Sequence, residues 1–335
     1  MTVVARAIDR AMEATVVGSF TRAGPMVRRR LFDWTDRRDL PRLDGRSIVV
    51  TGATSGLGEA MAHDLAALGA TLWLVARDET KAAALRRTLR YSTGNADVHV
   101  AIADLASLEQ VEAAAETIAE AGPVHGVMHN AGALFADYGQ TVDGHERTVQ
   151  LHVLAPFLLT ERLLSSLAAA GTAARPGRVV WMASGGMYTQ RLDLDRLVMP
   201  PNDFDGTVAY ARAKRAQVAL VGEWSRRLPP EVAMHAMHPG WADTPGVVDA
   251  LPTFHRVLGP ALRTPAQGGD TGVWLLATDD ALGSGALWFV TPDANTGMVL
   301  FSLAAFVVAL IGFDALALRD AGVRLPTARV AFAAF

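Results

Sequence analysis

The chain has no cysteine among its 335 residues, and that absence removes several kinds of chemistry at once. Disulfide bonds, thiolate metal sites and cysteine nucleophiles are all excluded. The sequence also lacks an excess of charge of either sign, since its formal net charge is -3 at pH 7. Proteins that bind nucleic acid usually carry a basic face, so we expect no nucleic-acid partner. The histidines show no metal-ligand spacing, and we expect no metal site.

The first 43 residues form an amphipathic extension that ends in a charged, proline-containing linker. Apolar side chains recur there at helical spacing, at Val4, Ile8, Met12 and Val16. We expect no cleavable signal, because charged residues interrupt the apolar positions, namely Arg6, Asp9, Arg10 and Glu13. The pattern fits a helix that packs on the main domain, and it also fits a helix that lies on a membrane surface.

From residue 46 onward, short β-branched runs alternate with alanine- and leucine-rich stretches of helical periodicity. Near-continuously apolar strands separated by helices are typical of a parallel sheet that is covered on both faces. The predicted strands are Ser47–Val50, Thr71–Ala76, Val98–Ala103, Val124–His129, Val179–Ala183, Val232–Met237 and Ala286–Val290. The fold class is therefore α/β, with one doubly wound, Rossmann-type and predominantly parallel seven-stranded sheet in a domain over residues 44–292.

The stretch SIVVTGATSGLGEA, residues 47–60, passes from a strand through glycines into a helix. Gly52 suits a sharp turn, Gly56 lets the backbone approach a phosphate, and Gly58 lets the helix pack close to the strand. The helix N-terminus would then offer free N–H groups and a positive dipole end to a pyrophosphate. A plain strand-to-helix turn is the alternative, and the position after the first strand favours the nucleotide site.

The end of the second strand, in LWLVARDET, indicates which dinucleotide is preferred. Enzymes that select NAD(H) usually place an acidic residue at this tip, but here Ala76 occupies it and Arg77 follows. A guanidinium suits the 2′-phosphate of NADP(H) by charge and by geometry. We therefore expect NADP(H), with NAD(H) as the alternative, because Asp78 is close enough in sequence to contact a ribose.

Three further residues predict the chemistry. Tyr210 and Lys214 are four residues apart and so share one helical face, where an ammonium would shift the phenol pKa of about 10 towards a useful range. Ser184 follows the fifth strand, whose carboxyl end should border the cofactor crevice. A serine hydroxyl there would hold a carbonyl oxygen while the phenol protonates it.

In this order and spacing, these motifs resemble those of the short-chain dehydrogenase/reductase superfamily over most of residues 44–292. The runs SGGMY, FDGTVAYARAKRAQ and HPGWADTPGV are most similar to its family member 12-like group. The candidate catalytic residues are Ser184, Tyr210, Lys214 and His152. The candidate cofactor-binding residues are Thr51, Gly52, Thr54, Ser55, Gly56, Leu57, Gly58, Arg77, Asp104, Leu105, Asn130, Ala131, Gly132, Tyr210, Lys214, Pro239, Gly240 and Thr244.

The resemblance implies an NADP(H)-dependent oxidoreductase that passes a hydride between the nicotinamide and a lipophilic carbonyl or alcohol. Tyr210 would be the general acid/base, and Lys214 would lower its pKa and bind the nicotinamide ribose. Pro239, Gly240 and Thr244 would hold the nicotinamide end. The resemblance also implies a homo-oligomer, a dimer or a tetramer.

One position departs from the family pattern. Many relatives carry an asparagine that supports a proton-relay water where this chain has His152. Histidine also donates and accepts protons near neutral pH, so a working substitute is one interpretation. A packing or helix-kink role and an impaired enzyme are the others. The alternative function is accordingly a catalytically degenerate, nucleotide-binding regulatory or scaffold protein.

Two apolar segments follow the predicted nicotinamide loop. The first would form a lid over a lipophilic substrate or supply ordinary core residues of short helices, through Trp241, Val247, Val248, Leu251, Phe254 and Leu258. After it, Thr264 and Gln267 are spaced as a capping box with Pro265 at the first helical position. The tail, 293–335, contains an apolar helix at 297–318 that would span a membrane, lie on its surface or pack in an oligomer interface. We expect a cytoplasmic protein with membrane association through this segment.

Overall fold

The computed structural model describes residues 8–9, 11–12, 16–32 and 39–289. Seven strands form one parallel sheet in the order β3-β2-β1-β4-β5-β6-β7, which confirms the predicted fold class. The chain order reverses beside β1, and a ligand in such a sheet binds at this switch point, outside the carboxyl ends of the strands. The strands are β1 Ser47–Thr51, β2 Thr71–Ala76, β3 Val98–Ile102, β4 Gly126–His129, β5 Gly177–Met182, β6 Val232–His238 and β7 Leu287–Phe289.

Helices connect these strands and cover both faces of the sheet. In chain order they are α1 Val16–Phe20, α2 Ala23–Phe32, α3 Gly56–Ala67, α4 Glu79–Thr93, α5 Leu108–Glu120, α6 Arg147–Ala170, α7 Gly206–Trp224, α8 Pro245–Ala250, α9 Pro252–Leu258 and α10 Pro265–Ala277. Helix α6 takes π form over Gln150–Leu154. Short 3-10 turns lie at Gly185–Thr189, Leu194–Arg196, Pro201–Asp203 and Gly259–Ala261.

Two hydrophobic cores result, one on each face of the sheet. Helices α3, α4 and α10 cover one face, with Met61, Leu65 and Leu276 buried there. Helices α5, α6 and α7 cover the other, around Trp181 and Leu163. Because each central strand is buried on both faces, its sequence is continuously apolar rather than alternating.

Local capping fixes where helices begin at the carboxyl end of the sheet. Asp78 caps α4 by accepting a hydrogen bond from the backbone N–H of Lys81. The capping box predicted at the start of α10 is present, with Thr264 and Gln267 bonded to each other's backbone. Pro265 occupies the first turn, where its missing N–H costs nothing.

The N-terminal helices pack on the main domain beside the loop that follows β6. Phe20 is fully buried, and its carbonyl accepts from the backbone N–H of Trp241 at 2.9 Å. Arg263 donates to the carbonyl oxygens of Ser19 and Thr21. The helices at 16–32 thus pack on the main domain, whereas most of the helical pattern from Val4 to Val16 lies outside the described residues.

One helix of the described residues, α6, is long and apolar enough to cross a membrane. Its apolar stripe packs into the core, however, through Ala155, Leu159, Leu163 and Leu167. This spacing of four residues is that of one helix face, so the core accounts for the apolar composition of α6. The predicted tail, 293–335, with its apolar helix at 297–318, lies outside the described residues.

Candidate active site

The glycine loop after β1 has the geometry that the sequence predicts. Gly52 and Gly56 adopt positive φ angles of 63° and 55°, which L side chains rarely take. Gly58 lies at the start of α3, where a Cβ would overlap the Gly52 carbonyl oxygen and come within 2.5 Å of Asn130 Nδ2. Helix α3 therefore packs directly against the turn, as a pyrophosphate site requires.

Asn130 and Thr51 hold this turn in place. Asn130 Nδ2 donates to the carbonyl oxygens of Thr51 and Gly52, both at 3.1 Å. Thr51 Oγ1 in turn accepts from the backbone N–H groups of Asn130 and Ala131. Both side chains thus form hydrogen bonds that join the ends of β1 and β4. They would support the cofactor site by holding the turn in position.

The N-terminus of α3 is open to an anion. Ser55 occupies the N-cap position and is exposed, yet its side chain makes no capping hydrogen bond, and the first two helix residues, Gly56 and Leu57, are half-buried. Thr54 and Leu57 flank it, and the Leu57 side chain packs towards Gly268 on α10. Free N–H groups at the end of a twelve-residue helix suit a phosphate.

The end of β2 presents a cation rather than a carboxylate. Arg77 is exposed and forms no ion pair among the described residues. Asp78, the acidic alternative, is occupied in capping α4 and lies 3.9 Å from Lys81 Nζ. At the end of β3, Asp104 accepts from the backbone N–H of Ala106. The next residue, Leu105, is buried.

Ser184, Tyr210 and Lys214 meet at the carboxyl end of β5. Ser184 Oγ and the Tyr210 ring lie side by side, since a Cβ on Gly186 would be 3.7 Å from the hydroxyl and 3.8 Å from the ring. Lys214 Nζ lies 5.6 Å from the centroid of the Tyr210 ring and donates to the Met182 carbonyl oxygen at 2.7 Å. The structure thus brings together the three side chains that the sequence singles out, although they come from β5 and α7.

The pKa of Tyr210 does not follow the sequence-based expectation. Burial raises the pKa of the phenol, and the hydrogen bond with Ser184 offsets this only in part. Lys214 is the expected source of a lower pKa, but burial lowers its own pKa to about 7. The physical reason is desolvation, because the charged forms of both groups lose water in this pocket.

His152 lies directly behind this group and is completely buried. Its Nε2 lies 2.9 Å from the Ala133 carbonyl oxygen, which only accepts, so Nε2 carries the proton. Its ring packs edge-on against Tyr210, at 5.2 Å between ring centroids. Burial and, second, Lys214 lower the His152 pKa to about 3, so the ring is neutral at pH 7.

Gly132 leaves room for the His152 imidazole and the Lys214 ammonium to lie near each other. A Cβ on Gly132 would lie 2.7 Å from His152 Cε1, 3.3 Å from its Nδ1 and 3.7 Å from Lys214 Nζ. Only a residue without a side chain leaves this space open. The Asn-Ala-Gly turn after β4 therefore serves the candidate catalytic group as well as the cofactor cradle.

The predicted nicotinamide loop faces the glycine loop. Gly240 has a φ of 74°, and its N–H donates to His238 Nδ1 at 2.7 Å. Arg263 holds the preceding residue by donating to the Pro239 carbonyl oxygen. Thr244 caps α8, and its side chain would be 3.4 Å from a Cβ on Gly56. The two loops thus border one cleft.

The segment predicted to form a lid follows the nicotinamide loop and contains apolar and aromatic side chains. Trp241 packs edge-on against Phe254, at 5.3 Å between centroids. Val248 and Leu251 on α8 and the turn after it are exposed. The lid candidates Val247 and Leu258 are half-buried.

Sequence reasoning missed two residues of this region. Tyr188 stacks on His238 and lies in the turn after Ser184, and burial raises its pKa. Gln217 lies one helical turn beyond Lys214 and bonds to the His152 backbone. The sequence signal for Gln217 is Pro156. A proline there predicts a disturbed helix at His152, the residue whose backbone Gln217 contacts. Among the described residues, no three histidine, aspartate or glutamate side chains cluster in a way that would hold a metal ion.

Comparison with known proteins shows the family. Residues 46–194 match the family model described as short chain dehydrogenase. The chain is 36% identical over 240 residues to human dehydrogenase/reductase SDR family member 12, covering 72% of this chain and 74% of that protein. It is 32% identical over 257 residues to polyprenol dehydrogenase from Mus musculus, covering 73% and 76%. The chain therefore belongs to the short-chain dehydrogenase/reductase family.

A solved structure supports the same conclusion. A short chain dehydrogenase from Escherichia coli CFT073, complexed with NADPH, superposes with a TM-score of 0.62 at 27% identity, over 76% of this chain and 99% of that one. The protein is thus an oxidoreductase of this family, with a fold that binds a nicotinamide cofactor. The resemblance stated from the motifs is confirmed.

Proposed function

We propose that this protein is an NADP(H)-dependent reductase or dehydrogenase of a lipophilic carbonyl or alcohol. One observation carries the proposal: Ser184, Tyr210 and Lys214 converge at the carboxyl end of β5, beside the glycine loop. Family membership and the NADPH complex of the E. coli relative support it.

The cradle fits a dinucleotide. Gly52 and Gly58 keep the turn free of side chains, and the open N-terminus of α3 would hold the pyrophosphate. Thr244 and the turn at Pro239 and Gly240 would hold the nicotinamide end. When bound, the reduced cofactor supplies the hydride for the carbonyl carbon.

This chain's own residues handle the oxygen and the proton. Ser184 would orient the carbonyl oxygen, and Tyr210 would give its proton to that oxygen as the C–H bond forms at carbon. The phenol pKa is raised by burial, which favours the protonated form needed for reduction. Lys214 would stabilise the phenolate left behind and return a proton to it, and water would then reprotonate Lys214. His152 would contribute to this relay as a hydrogen-bond acceptor, through the bare Nδ1 of its neutral ring.

Selection of NADP(H) over NAD(H) would rest on Arg77. It is exposed at the end of β2 and has no ion pair among the described residues, so its guanidinium is available for a 2′-phosphate. Asp104 and Leu105 would border the adenine.

The lipophilic substrate class rests on the lid and on one relative. Trp241 and Phe254 form an aromatic pair, and α8 and α9 contain no buried residue, so they would be free to cover a substrate. The relative from Mus musculus is named as a polyprenol dehydrogenase. A homo-oligomer, a cytoplasmic location and membrane contact through 297–318 stay predictions.

The proposal is tested by following NADPH oxidation at 340 nm with the full-length protein. The substrates are long polyisoprenoid and retinoid aldehydes, with a short hydroxylated aldehyde as the polar control. We expect turnover with the long apolar aldehydes and a kcat/KM at least about tenfold lower for the polar one. Tight NADPH binding without oxidation of any carbonyl would instead support the degenerate, regulatory alternative.

A further inference from the structure

The nicotinamide loop proposed above, residues 239–244, is hydrogen-bonded to a segment that comes long before it in the chain. The backbone N–H of Trp241 donates to the carbonyl oxygen of Phe20 at 2.9 Å, and the N–H of Arg22 donates to the carbonyl oxygen of Ala261 at 3.0 Å. Residues 19–22, the N-terminal segment, precede the part of the chain that matches the family model, which begins at residue 46. The loop thus has a support that lies outside the matched part.

Arg263 joins the same loop to the N-terminal segment. Its backbone N–H donates to the carbonyl oxygen of Trp241 at 2.8 Å, and its own carbonyl oxygen accepts from the N–H of Asp243 at 2.8 Å. Its guanidinium donates to the carbonyl oxygens of Ser19 at 2.7 Å and Pro239 at 3.0 Å. The main chain of the loop is therefore bonded to two other segments at once, and a shift of either segment would move the loop.

Phe20 is the side chain that anchors the N-terminal segment. It is fully buried, and its ring centroid lies 4.7 Å from that of His238, which precedes the loop, and 5.5 Å from that of Trp241 within the loop. The ring of Phe289, at the end of β7, lies 4.8 Å away. A buried phenylalanine contributes a large apolar contact area, so this ring holds the segment against both the loop and the sheet.

Gly240 shows how closely the segment and the loop fit. Its φ of 74° is one that L side chains rarely take, and its N–H donates to His238 Nδ1 at 2.7 Å. A Cβ at this position would lie 2.5 Å from Arg263 Cζ and 2.8 Å from the Phe20 carbonyl oxygen. The turn that opens the nicotinamide loop is thus packed directly on the N-terminal segment, with no room for a side chain between them.

We propose, on the basis of the cofactor site stated above, that Phe20 is a positioning residue for the nicotinamide half of NADP(H): it holds the N-terminal segment against residues 239–244 and so keeps the loop in the conformation that receives the nicotinamide. In that site the adenine half binds elsewhere, at Arg77 and Asp104, which follow β2 and β3. Counted from β6, which leads into the loop, these two strands lie beyond β5, β4 and β1. Phe20 therefore acts on one half of the cofactor only.

The test separates the two halves of the cofactor. The full-length protein is titrated calorimetrically with NADPH and with 2′,5′-ADP, which carries the adenine and the 2′-phosphate but no nicotinamide. We expect Phe20→Ala to raise the Kd for NADPH about tenfold or more and to leave the Kd for 2′,5′-ADP within about twofold of wild type. Phe20→Leu keeps most of the buried apolar volume, so it should restore most of the NADPH affinity.

Leu43→Ala is the matched control. Leu43 is also fully buried and also precedes the matched part of the chain, but it lies before β1, at the opposite edge of the sheet. Its truncation should leave the Kd for both ligands within about twofold of wild type. An unchanged Kd for NADPH in Phe20→Ala, or an equal rise for both ligands, overturns the proposal, because a general structural role would affect both halves. A selective loss of NADPH affinity in Leu43→Ala overturns it as well.

Hydrogen exchange of the wild-type amides gives a readout that needs neither a variant nor turnover. Because coupling between two sites is reciprocal, binding of the nicotinamide must in turn stabilise the N-terminal segment. We expect NADPH to slow exchange of the Arg22 and Trp241 amides, and 2′,5′-ADP to leave both unchanged. Equal exchange with both ligands overturns the proposal, and this result decides the matter if Phe20→Ala does not fold. A wild-type protein that binds NADPH but reduces no carbonyl contradicts the proposed reductase only, while the binding and exchange results still decide the role of Phe20.

Discussion

Arg263 Nη2 donates to the carbonyl oxygen of Ser19 at 2.7 Å, and this contact joins the N-terminal segment to the loop after β6. Arg263 is 1% exposed and also donates to the carbonyls of Thr21 and Pro239. The first helices are thus held at the base of the predicted lid and nicotinamide loop.

Replacing Arg263 with methionine should therefore destabilise the whole domain. Two buried carbonyl groups and one half-buried carbonyl group would lose their donor, which we expect to lower the free energy of unfolding by at least about 2 kcal/mol. Urea unfolding measures it. Arg226→Met is the matched control, because Arg226 is exposed and its loss should cost under about 0.5 kcal/mol. Equal stability of the two variants would show that the contact contributes nothing.

Arg77→Glu should reverse the cofactor preference. We expect the Kd for NADPH to rise by about 10- to 100-fold, because a carboxylate repels the 2′-phosphate, while the Kd for NADH changes little or falls. Fluorescence titration with both cofactors measures this. Arg87→Glu, an exposed substitution on α4 with the same charge change, controls for net charge. A parallel loss for both cofactors would contradict the role of Arg77.

Two glycine-to-alanine substitutions test the glycine loop. One lies within the loop and should abolish nucleotide binding, and the other lies in α7 and should stabilise the protein. Gly58→Ala places a Cβ against the Gly52 carbonyl oxygen and Asn130, so it should abolish nucleotide binding. Gly222→Ala, in α7, meets nothing within 4 Å and should stabilise the protein by roughly 0.5 to 1 kcal/mol. Calorimetric titration with NADPH and thermal unfolding check both. Normal binding by Gly58→Ala would mean that the turn is looser than described.

Stability should fall steeply in mild acid. Burial lowers the pKa values of four histidines in the folded state to about 3 or 4, those of His129, His152, His235 and His238. The unfolded chain binds these protons near pH 6.5, so stability is fully present above that pH and is lost as the pH falls towards 4. Each group contributes up to about 1.4 kcal/mol per pH unit in this window.

His129→Gln isolates one of these four groups. His129 Nε2 lies 2.6 Å from Thr160 Oγ1, and a glutamine amide can keep this hydrogen bond without titrating. Between pH 6.5 and 4, unfolding of this variant should take up about one proton fewer than unfolding of the wild type. The free energy of unfolding should therefore depend less steeply on pH. His63→Gln, at an exposed site, should leave the slope unchanged. An unchanged slope in both would place the acid sensitivity elsewhere.

The sequence determines most of the fold through local pattern. The strand Thr71–Ala76 was predicted with its observed bounds, because an apolar run of β-branched and aromatic residues ends at a helix cap. The helix Glu79–Thr93 has a weaker apolar pattern, since its surface is highly charged and only Ala82, Leu85 and Leu89 are buried. Helix α3 begins at Gly56, so two glycines of the predicted glycine loop, Gly56 and Gly58, lie in its first turn.

Long-range contacts were beyond the reach of the sequence. The Gln217 bond to His152 spans 65 residues, and Arg263 reaches Ser19 across 244 residues. Neither contact follows from a regular spacing of residues in the sequence. The expected lowering of the Tyr210 pKa was wrong for a related reason, because burial depends on the packed pocket and outweighs the hydrogen bond with Ser184.

The measurement closest to the central claim is a single turnover of NADPH oxidation by Tyr210→Phe with an aldehyde that the wild type reduces. Loss of the phenolic proton should slow hydride transfer at least about 100-fold, while NADPH affinity stays within about twofold of wild type. Tyr91→Phe, on α4 with a side chain that is 94% exposed, should retain the wild-type rate. A Tyr210→Phe protein that oxidises NADPH as fast as the wild type would contradict the proposed proton donor.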